Sequence, residues 1–396
     1  MPALSFLDAR ATVLREVYAH RATPPTEDAA LAACGGRILG ENIPADRDYP
    51  AFNRSVRDGF ALRAGDVPGR IRIVGEVRAG ETFAGLLRKG EAVEIMTGAP
   101  VPEGADAVVM IEHCTRHDDG TVETDRIVAI GQNIAPAACE ARAGEVILKP
   151  GTRIDYTAVA WLATIGRNAA AVCVRPRVAI LATGDEIVGV SQSPAKHQIR
   201  NSNTYSLAAQ VRRAGGDPVI LPVARDNKED TRNLIQRGLE ADLLLLSGGV
   251  SAGKYDLVEP VFAELGAEFY FDRVLIQPGQ PLVFGRARQK FFFGLPGNPA
   301  STMVTFELFA RAALELLAGA ADAPLPLTLA RLTRPFHHKA GLTRFLPASI
   351  SCTEVTPLDW KGSGDVPALC RANAFLVADA DQPDYSAGDL IPVLLK

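Results

Sequence analysis

The segment LLLLSGGVSAGKYD, from Leu243 to Asp256, constrains the fold more than any other part of the chain. An apolar run long enough for a buried strand ends abruptly in Ser247, Gly248 and Gly249. A strand that is buried on both faces belongs to a parallel sheet, and such sheets bind ligands beyond the carboxyl ends of their strands. Glycines at that position let the backbone approach an anion and point N–H groups at it. The segment therefore predicts a phosphate or oxyanion site.

Three other apolar runs end in the same way. Residues 178–186 finish in an acidic pair, residues 218–230 in a polar helix start, and residues 291–302 in a Pro-Gly-Asn-Pro turn. The last turn precedes a helical pattern, and the free N–H groups at a helix start attract anions. A single loop of this kind also fits an ordinary turn in an α/β fold. Four of them together predict one edge of a sheet lined by hydrogen-bond donors and carboxylates.

Bulk properties exclude several classes of protein. The chain has 396 residues, 47% apolar residues and a formal net charge of −4, which disfavours binding to nucleic acid or to an anionic membrane surface. No apolar run approaches the length that spans a bilayer, and the first twenty residues lack the pattern of a secretion signal. Six scattered cysteines without a C-x-x-C spacing favour free thiols in a reducing compartment. We therefore expect a cytoplasmic protein.

The character of the sequence changes several times along the chain, which predicts a multidomain α/β plus β fold. A mostly helical start, with a second helix expected over residues 29–39, gives way to short alternating runs typical of a β-rich domain. Strands then alternate with amphipathic helices expected at residues 204–214, 228–239 and 257–265, which indicates a parallel α/β layer. The last segment is β-like and predicts a small barrel. The expected domains are 1–48 with 143–175, 49–142, 176–320 and 321–396.

Several motifs resemble those of one family. The segments concerned are Phe52-Asn53-Arg54-Ser55, Asp58-Gly59-Phe60-Ala61, residues 96–106, Thr183-Gly184-Asp185-Glu186, Asn201-Ser202-Asn203, residues 247–251 with Asp256, and Leu295-Pro296-Gly297-Asn298-Pro299. In this order, nearly end to end, they resemble the molybdopterin molybdenumtransferases, the MoeA/gephyrin group. The resemblance implies a central layer like that of MogA, a β-rich domain inserted near the N-terminus and a C-terminal β-barrel.

The resemblance also implies an activity. Members of this group take adenylylated molybdopterin and molybdate as substrates, release AMP and insert the metal into the dithiolene. The group implies a homodimer with active sites between subunits, and it implies a molybdopterin adenylyltransferase and molybdoenzyme acceptors as partners. Cleavage of a pyrophosphate bond also favours Mg²⁺ held by carboxylates, because the cation neutralises developing charge.

The candidate site residues fall into four groups. Carboxylates at strand ends are the expected metal ligands, although each could instead cap a helix; they are Asp185, Glu186, Asp226 and Asp256. The resemblance makes Asp58, Asp226 and Asp256 the catalytic aspartates, with Asp58 supplied by the partner subunit. It implies substrate binding by Thr97, Ser202, Asn203, Ser247, Gly248, Gly249, Ser251, Pro296, Gly297 and Asn298. It implies molybdate binding by Gln277, Gln280, Pro281, Ser301 and Arg344.

Two segments depart from the family pattern. Where the family commonly has K-P-G-K, this chain has Gln277-Pro278-Gly279-Gln280, and an uncharged glutamine gives an oxyanion less attraction than a lysine does. The candidate compensating cations are Lys254, Arg273 and Arg344. The family also often has arginines after Gly-Gln-Asn, whereas here residues 131–133 lead into an uncharged run that ends at Glu140.

Two other functions fit part of the pattern. A molybdopterin adenylyltransferase would share the α/β layer and its Ser-Gly-Gly-Val-Ser loop, but the flanking β domains argue against it. A catalytically weak molybdopterin-binding or scaffold homologue would explain the glutamine segment, but the retained aspartates argue against it.

Overall fold

The protein, as a computed structural model, is described for residues 2–249 and 257–396. Its residues form two compact units. The first comprises Met1–Gly40, Pro150–Asp155 and Ala169–Lys396, and the second comprises Glu41–Lys149 and Tyr156–Asn168. The finer division into four domains stays a prediction.

A six-stranded sheet forms the centre of the first unit. In spatial order its strands are Asp217–Ile220, Arg177–Ala182, Leu243–Ser247, Lys290–Leu295, Pro281–Ala287 and Glu268–Arg273. The first four are parallel, as the sequence predicted, and the last two are antiparallel to their neighbours. The antiparallel edge arises because only Arg288 and Gln289 connect two of these strands, and a two-residue turn can join only antiparallel strands.

Alternating side chains of the central strands pack into two separate cores. Val178 and Ile180 point to one face of the sheet, and Ala179 and Leu181 to the other. All four residues from Leu243 to Leu246 are fully buried and alternate in the same way. Burying a leucine side chain contributes about 1.5–3 kcal/mol to stability, so this strand anchors both layers. The continuous apolar run is therefore explained by burial on both faces.

Helices cover both faces of this sheet. Asn227 caps one of them, because its side chain accepts a hydrogen bond from the Asp230 N–H at 2.8 Å. Another begins with Pro299 in its first turn and continues to Leu317 through a π-helical segment at Phe306–Ala310. The helices of this unit are Phe6–His20, Asn203–Arg213, Lys228–Gly238, Val258–Glu264, Pro299–Thr305 with Arg311–Leu317, and Val366–Arg371.

Five strands near the C-terminus close into a barrel, which confirms the predicted small barrel. Each strand pairs with two others around a closed ring: Thr343–Ser351 with Glu354–Pro357, then Leu327–Leu332, Leu390–Leu395 and Ala374–Ala378, which pairs again with the first. The short strand Ile276–Gln277 pairs in parallel with Thr343 and Arg344 at the start of the first of these strands.

The second unit is β-rich, as predicted. Its six-stranded mixed sheet has the order Ala107–Met110, Gly59–Leu62, Glu91–Ile95, Gly69–Val77, Thr121–Thr124 and Thr115–Arg116. Two strand pairs, Ile43–Pro44 with Val146–Leu148 and Arg54–Ser55 with Ile134–Ala135, and the helix Tyr156–Thr164 complete it.

The helix expected over residues 29–39 is wrong. Residues Thr26–Ala30 form a strand that pairs antiparallel with Ala169–Cys173, and a single 3-10 turn follows at Leu31–Ala33. Alanine favours helices, but pairing with a segment distant in sequence overrides that local preference. No helix in the described part of the chain is long and apolar enough to span a bilayer.

Candidate functional site

Loops at the carboxyl ends of the four parallel strands form one edge of the sheet, as the sequence predicted. We call the loops 183–186, 225–227, 248–249 and 296–298 the crest. The crest borders a cavity of about 310 Å³, here called the strand-end pocket. Its polar lining residues include Thr183, Glu186, Arg200, Ser202, Asn203, Ser247, Gly248, Gly297 and Asn298. The structure therefore brings most of the predicted substrate-binding residues to one cavity.

Asn203 joins the start of its helix to the ends of two neighbouring strands at the crest. Its Nδ2 donates to Ser247 Oγ at 2.8 Å and to the Gly297 carbonyl at 2.7 Å. Its Oδ1 is buried and accepts no hydrogen bond within the described residues. An orphaned buried acceptor costs free energy, and a ligand donor that reaches it recovers part of that cost. Asn203 can therefore both position the crest and contact a ligand.

The glycine pair after the central strand is required by close contacts. Gly248 and Gly249 have φ values of 92° and 67°, in the region that favours glycine. A Cβ on Gly249 would lie 2.8 Å from Thr183 Oγ1, and one on Gly248 would lie 3.1 Å from the Thr183 carbonyl oxygen. The chain thus passes tightly against the neighbouring strand end, which leaves its backbone open toward the pocket.

Two of the predicted metal ligands are neighbours. The N–H of Asp185 donates to Asp226 Oδ2 at 3.3 Å, and the N–H of Asp226 donates to Asp185 Oδ1 at 3.4 Å. Both side chains are exposed, and Arg225 lies 3.9 Å from the Asp185 carboxylate. Within 2–249 and 257–396 these acids belong to no cluster of three or more metal-binding side chains. Asp256, the fourth predicted ligand, lies outside the described residues, as do Ser251 and Lys254.

Asp58 and Thr97 contact each other in the β-rich unit. Asp58 Oδ1 accepts hydrogen bonds from the Thr97 N–H at 2.6 Å and from its hydroxyl at 2.8 Å. These two donors, the backbone N–H first, lower the pKa of the exposed Asp58 carboxyl. The residue is therefore held as a carboxylate, which suits a role in binding or in electrostatic stabilisation.

A second cavity gathers the glutamine segment. This cavity of about 430 Å³, here called the glutamine pocket, is lined by Gln277, Gln280, Pro281, Pro296, Asn298 and Ser301, together with Leu342, Trp360 and Ser363. Every side chain that lines it is uncharged. Asn298 also lines the strand-end pocket, so the two cavities adjoin at this residue.

The remaining predicted cations lie elsewhere. Arg344 lines a different cavity with His338 and Trp360, although its backbone pairs with Gln277. Arg273 is exposed and faces Pro281 across two paired strands. Glu140 forms an ion pair with Arg54, so an arginine within the same β-rich unit balances its charge.

Sequence reasoning missed several residues that line these cavities. Arg200 contributes a cation to the strand-end pocket, and it directly precedes the Asn201-Ser202-Asn203 motif. Trp360 and Ser363 line the glutamine pocket from the segment before the helix Val366–Arg371. The polar run that starts at Arg200 was a usable signal. Nothing local marked Trp360 or Ser363.

Comparisons with known families agree with this arrangement. Profiles of the MoeA N-terminal region (domain I and II), a probable molybdopterin binding domain and the MoeA C-terminal region (domain IV) match residues 4–166, 179–316 and 329–396. A molybdopterin molybdenumtransferase of Bacillus subtilis is 34% identical over 385 residues, covering 93% of this chain and 90% of that protein. The chain belongs to the MoeA family.

Further MoeA relatives support the same assignment. A molybdopterin molybdenumtransferase of Staphylococcus aureus is 31% identical and covers 96% of this chain and 94% of its own. Two crystal structures of molybdopterin biosynthesis MoeA proteins from Pyrococcus horikoshii superpose with TM-scores of 0.73 and 0.81, at 30% and 27% identity, over essentially the whole chain. The resemblance found in the sequence motifs is thus confirmed, and so is the multidomain α/β plus β fold.

Proposed function

We propose a reaction for this protein, which acts in molybdenum cofactor biosynthesis as a transferase. It inserts molybdate into adenylylated molybdopterin and releases AMP. The observation that carries the proposal is the adjacency of two different cavities at Asn298. One offers glycine-rich strand ends suited to phosphates, and the other offers neutral donors suited to an oxyanion. Family membership and the names of the relatives support the same reaction.

Residues of the strand-end pocket, of the glutamine pocket and of the β-rich unit take distinct roles in this proposal. Asn203 and the backbone around Gly248 bind and orient the phosphate end of the substrate. Gln277, Gln280, Asn298 and Ser301 donate hydrogen bonds to molybdate. Asp58 holds a negative charge at the reacting centre, because its donors from Thr97 keep it ionised.

Mg²⁺ is part of the proposal. Magnesium is commonly held by one or two carboxylates together with substrate phosphates and water, and the adjacent Asp185 and Asp226 fit that donor set. Asp226 and Asp185 would hold the ion, with Glu186 at the pocket wall and Asp256 as a further ligand. When bound, it would neutralise charge that develops on the phosphates during cleavage.

We further propose a homodimer in which each active site combines Asp58 of one subunit with the crest of its partner. The basis is the family resemblance of the two motif groups. A molybdopterin adenylyltransferase as supplier of the substrate and molybdoenzymes as acceptors of the product belong to the same proposal.

The deciding experiment measures AMP release from adenylylated molybdopterin, with and without molybdate and Mg²⁺. We expect release that requires both. Asp226→Asn should lower it at least tenfold, because a lost charge-assisted contact costs about 1.5–3 kcal/mol. Asp217→Asn is the matched control, since Asp217 is an exposed aspartate at the opposite edge of the same sheet.

Other outcomes would reject the proposal in different ways. AMP turnover that is independent of molybdate would indicate adenylyl chemistry without metal insertion. Tight molybdopterin binding without any AMP release would indicate a binding or scaffold protein.

A further inference from the structure

A third cavity, of about 370 Å³, lies at the edge of the central sheet opposite the crest. The parallel strands Arg177–Ala182, Leu243–Ser247 and Lys290–Leu295 begin beside it and run away from it toward the crest. We call this cavity the basic pocket. Its charged lining residues are Arg21, Arg175, Asp242, Arg286, Arg288 and Lys290.

Positive charge at this pocket is not a reflection of overall composition. Five cations and one carboxylate line it, whereas the whole chain carries a formal charge of −4. The single carboxylate, Asp242, is already engaged, because Lys290 lies 3.0 Å from its Oδ1 and the Arg177 N–H donates to its Oδ2 at 2.9 Å. Four arginines therefore share one concave surface without a carboxylate of their own in the lining.

The arginines have few partners. Arg21 donates to the carbonyl oxygens of Leu316 and Ala320, which are neutral acceptors. Arg175, Arg286 and Arg288 form no ion pair with any described residue. Like charges in a concave, partly desolvated site repel one another, and an anion that enters relieves that repulsion.

The side chain of Arg286 gives the clearest indication that this pocket binds a ligand. Its guanidinium Nε is buried and has no hydrogen-bond acceptor in the part of the chain that the structure describes. Glu268 stands opposite Arg286 on the paired strand, yet no ion pair joins them. A buried donor without an acceptor is costly, so an incoming oxyanion would gain from the cluster around it.

Neighbouring acids do not neutralise the cluster. His20, which also lines the pocket, lies 3.7 Å from the carboxylate of Glu16. That carboxylate is also engaged by Arg15 at 2.8 Å. Glu16 is thus engaged by His20 and Arg15, and Glu268 forms no ion pair with Arg286.

The rest of the lining suits a small ligand with an uncharged part. The apolar side chains of Val174, Phe291 and Leu317, with Pro24 and Pro25, form the other walls. Cavities of roughly 300–1,000 Å³ hold small molecules, and apolar walls with a few charged groups are typical of them. The size and concave form favour a compact ligand over a nucleic-acid strand or a membrane surface.

We propose that the basic pocket binds a small phosphorylated anion, through a phosphate or diphosphate group held by Arg175, Arg286 and Arg288. Guanidinium groups match phosphate oxygens in a bidentate geometry and stay charged at every physiological pH. This site is separate from the crest, and its existence does not depend on the proposed transferase reaction.

The test is calorimetric titration of the full-length protein with inorganic pyrophosphate, at low ionic strength and without divalent cations. The double variant Arg175→Ala/Arg288→Ala removes two exposed arginines of the pocket. We expect its affinity for pyrophosphate to fall about tenfold or more, because two charge-assisted contacts are lost. The control Arg212→Ala/Arg237→Ala removes two exposed helix arginines outside the pocket and should retain the affinity.

A third variant separates this site from the crest. Asn203→Ala disturbs the strand-end pocket and should leave pyrophosphate binding at the basic pocket unchanged. If Asn203→Ala abolishes binding and Arg175→Ala/Arg288→Ala does not, the anion binds at the crest and the proposal is wrong. Equal affinities of the pocket variant and the control would also overturn it.

A second ligand identifies the source of the phosphate. ADP that binds at least tenfold more tightly than pyrophosphate, with the same loss in Arg175→Ala/Arg288→Ala, would assign the pocket to a nucleotide. Equal affinities would assign it to free phosphate or diphosphate. In either case AMP release by the pocket variant should equal that of the wild type, since none of its residues belongs to the crest.

Discussion

At the scale of single residues, Thr97 keeps the carboxyl group of Asp58 ionised through two hydrogen bonds. The carboxylate is exposed, and both of its protein donors come from one residue. Removing the Thr97 hydroxyl leaves the backbone donor in place, so the carboxyl should lose part of the effect that lowers its pKa. A substitution that removes only this hydroxyl should therefore change the pKa of Asp58 without a large change in side-chain shape.

We predict that Thr97→Val raises the pKa of Asp58 toward its ordinary value, while Thr97→Ser keeps it low. The stability that this pairing provides is present above the ordinary carboxyl pKa, and it is lost as the pH falls through the lowered value. Titration of the Asp58 carboxyl by ¹³C NMR measures the effect. An identical Asp58 pKa in wild type and Thr97→Val would show that the hydroxyl bond does not form in solution.

The uncharged lining of the glutamine pocket leads to a second prediction. Gln277→Lys/Gln280→Lys should lower the molybdate concentration for half-maximal insertion about thirtyfold, because two charged donors contribute roughly 1 kcal/mol more each than neutral ones. The gain should shrink as salt is added. Gln132→Lys/Gln382→Lys, at exposed positions that line neither the glutamine pocket nor the basic pocket, is the control for charge alone. No gain at low salt would show that these glutamines do not face the oxyanion.

At the scale of elements, the crest depends on contacts between helices and strand ends. Asn203 joins the start of one helix to Ser247 and Gly297. Farther along the same helix, Gln210 donates to the carboxylate of Glu307, which is buried in the π-helical segment, at 2.7 Å. The two helices are thereby attached to each other at some distance from the site.

We predict that Asn203→Ala lowers the free energy of unfolding by about 1–3 kcal/mol, because two partly buried hydrogen bonds are lost. It should also slow AMP release, since the crest loops lose their common partner. Chemical denaturation and the AMP assay measure the two effects. Gln236→Ala is the control, as this helix amide has no hydrogen-bond partner in the structure as described. A stability equal to that of the control would contradict the positioning role of Asn203.

At the scale of the whole molecule, the motif residues are divided between the two units. Asp58 and Thr97 belong to the β-rich unit, and the crest belongs to the larger one. The proposed homodimer accounts for this division by combining the two groups across subunits. Such a dimer makes a prediction that a monomeric active site does not.

We predict that exchanging Asp58→Asn subunits with Asp226→Asn subunits, each of which alone has strongly reduced activity, restores part of the AMP release. With random mixing in a twofold dimer, half of the dimers are mixed and each has one intact site, so about a quarter of the wild-type activity should return. A mixture of Asp185→Asn and Asp226→Asn is the control, because both lesions lie on the crest. Failure of the first mixture to exceed the second, after verified exchange, would exclude a composite site.

Local sequence patterns were enough to locate the crest. The run from Leu243 to Ser247 is apolar at every position before its polar end, and this local pattern alone predicts a strand that is buried on both faces. The glycines at 248 and 249 predicted a tight turn after this strand. The structure confirms it, because the backbone there has positive φ and a Cβ would lie too close to Thr183. Composition and family motifs then sufficed for the fold class and for the family.

Tertiary structure alone decided which distant residues share a cavity. Gln277 and Gln280 lie beside Asn298, Trp360 and Ser363, while Arg344 lines another cavity despite pairing with Gln277. The sequence also did not predict the strand at Thr26–Ala30 or the shared cavity of the four arginines in the basic pocket. The physical reason is the same in each case. A side chain's own neighbours in sequence determine its local conformation, but its partners in space depend on how distant strands and helices pack.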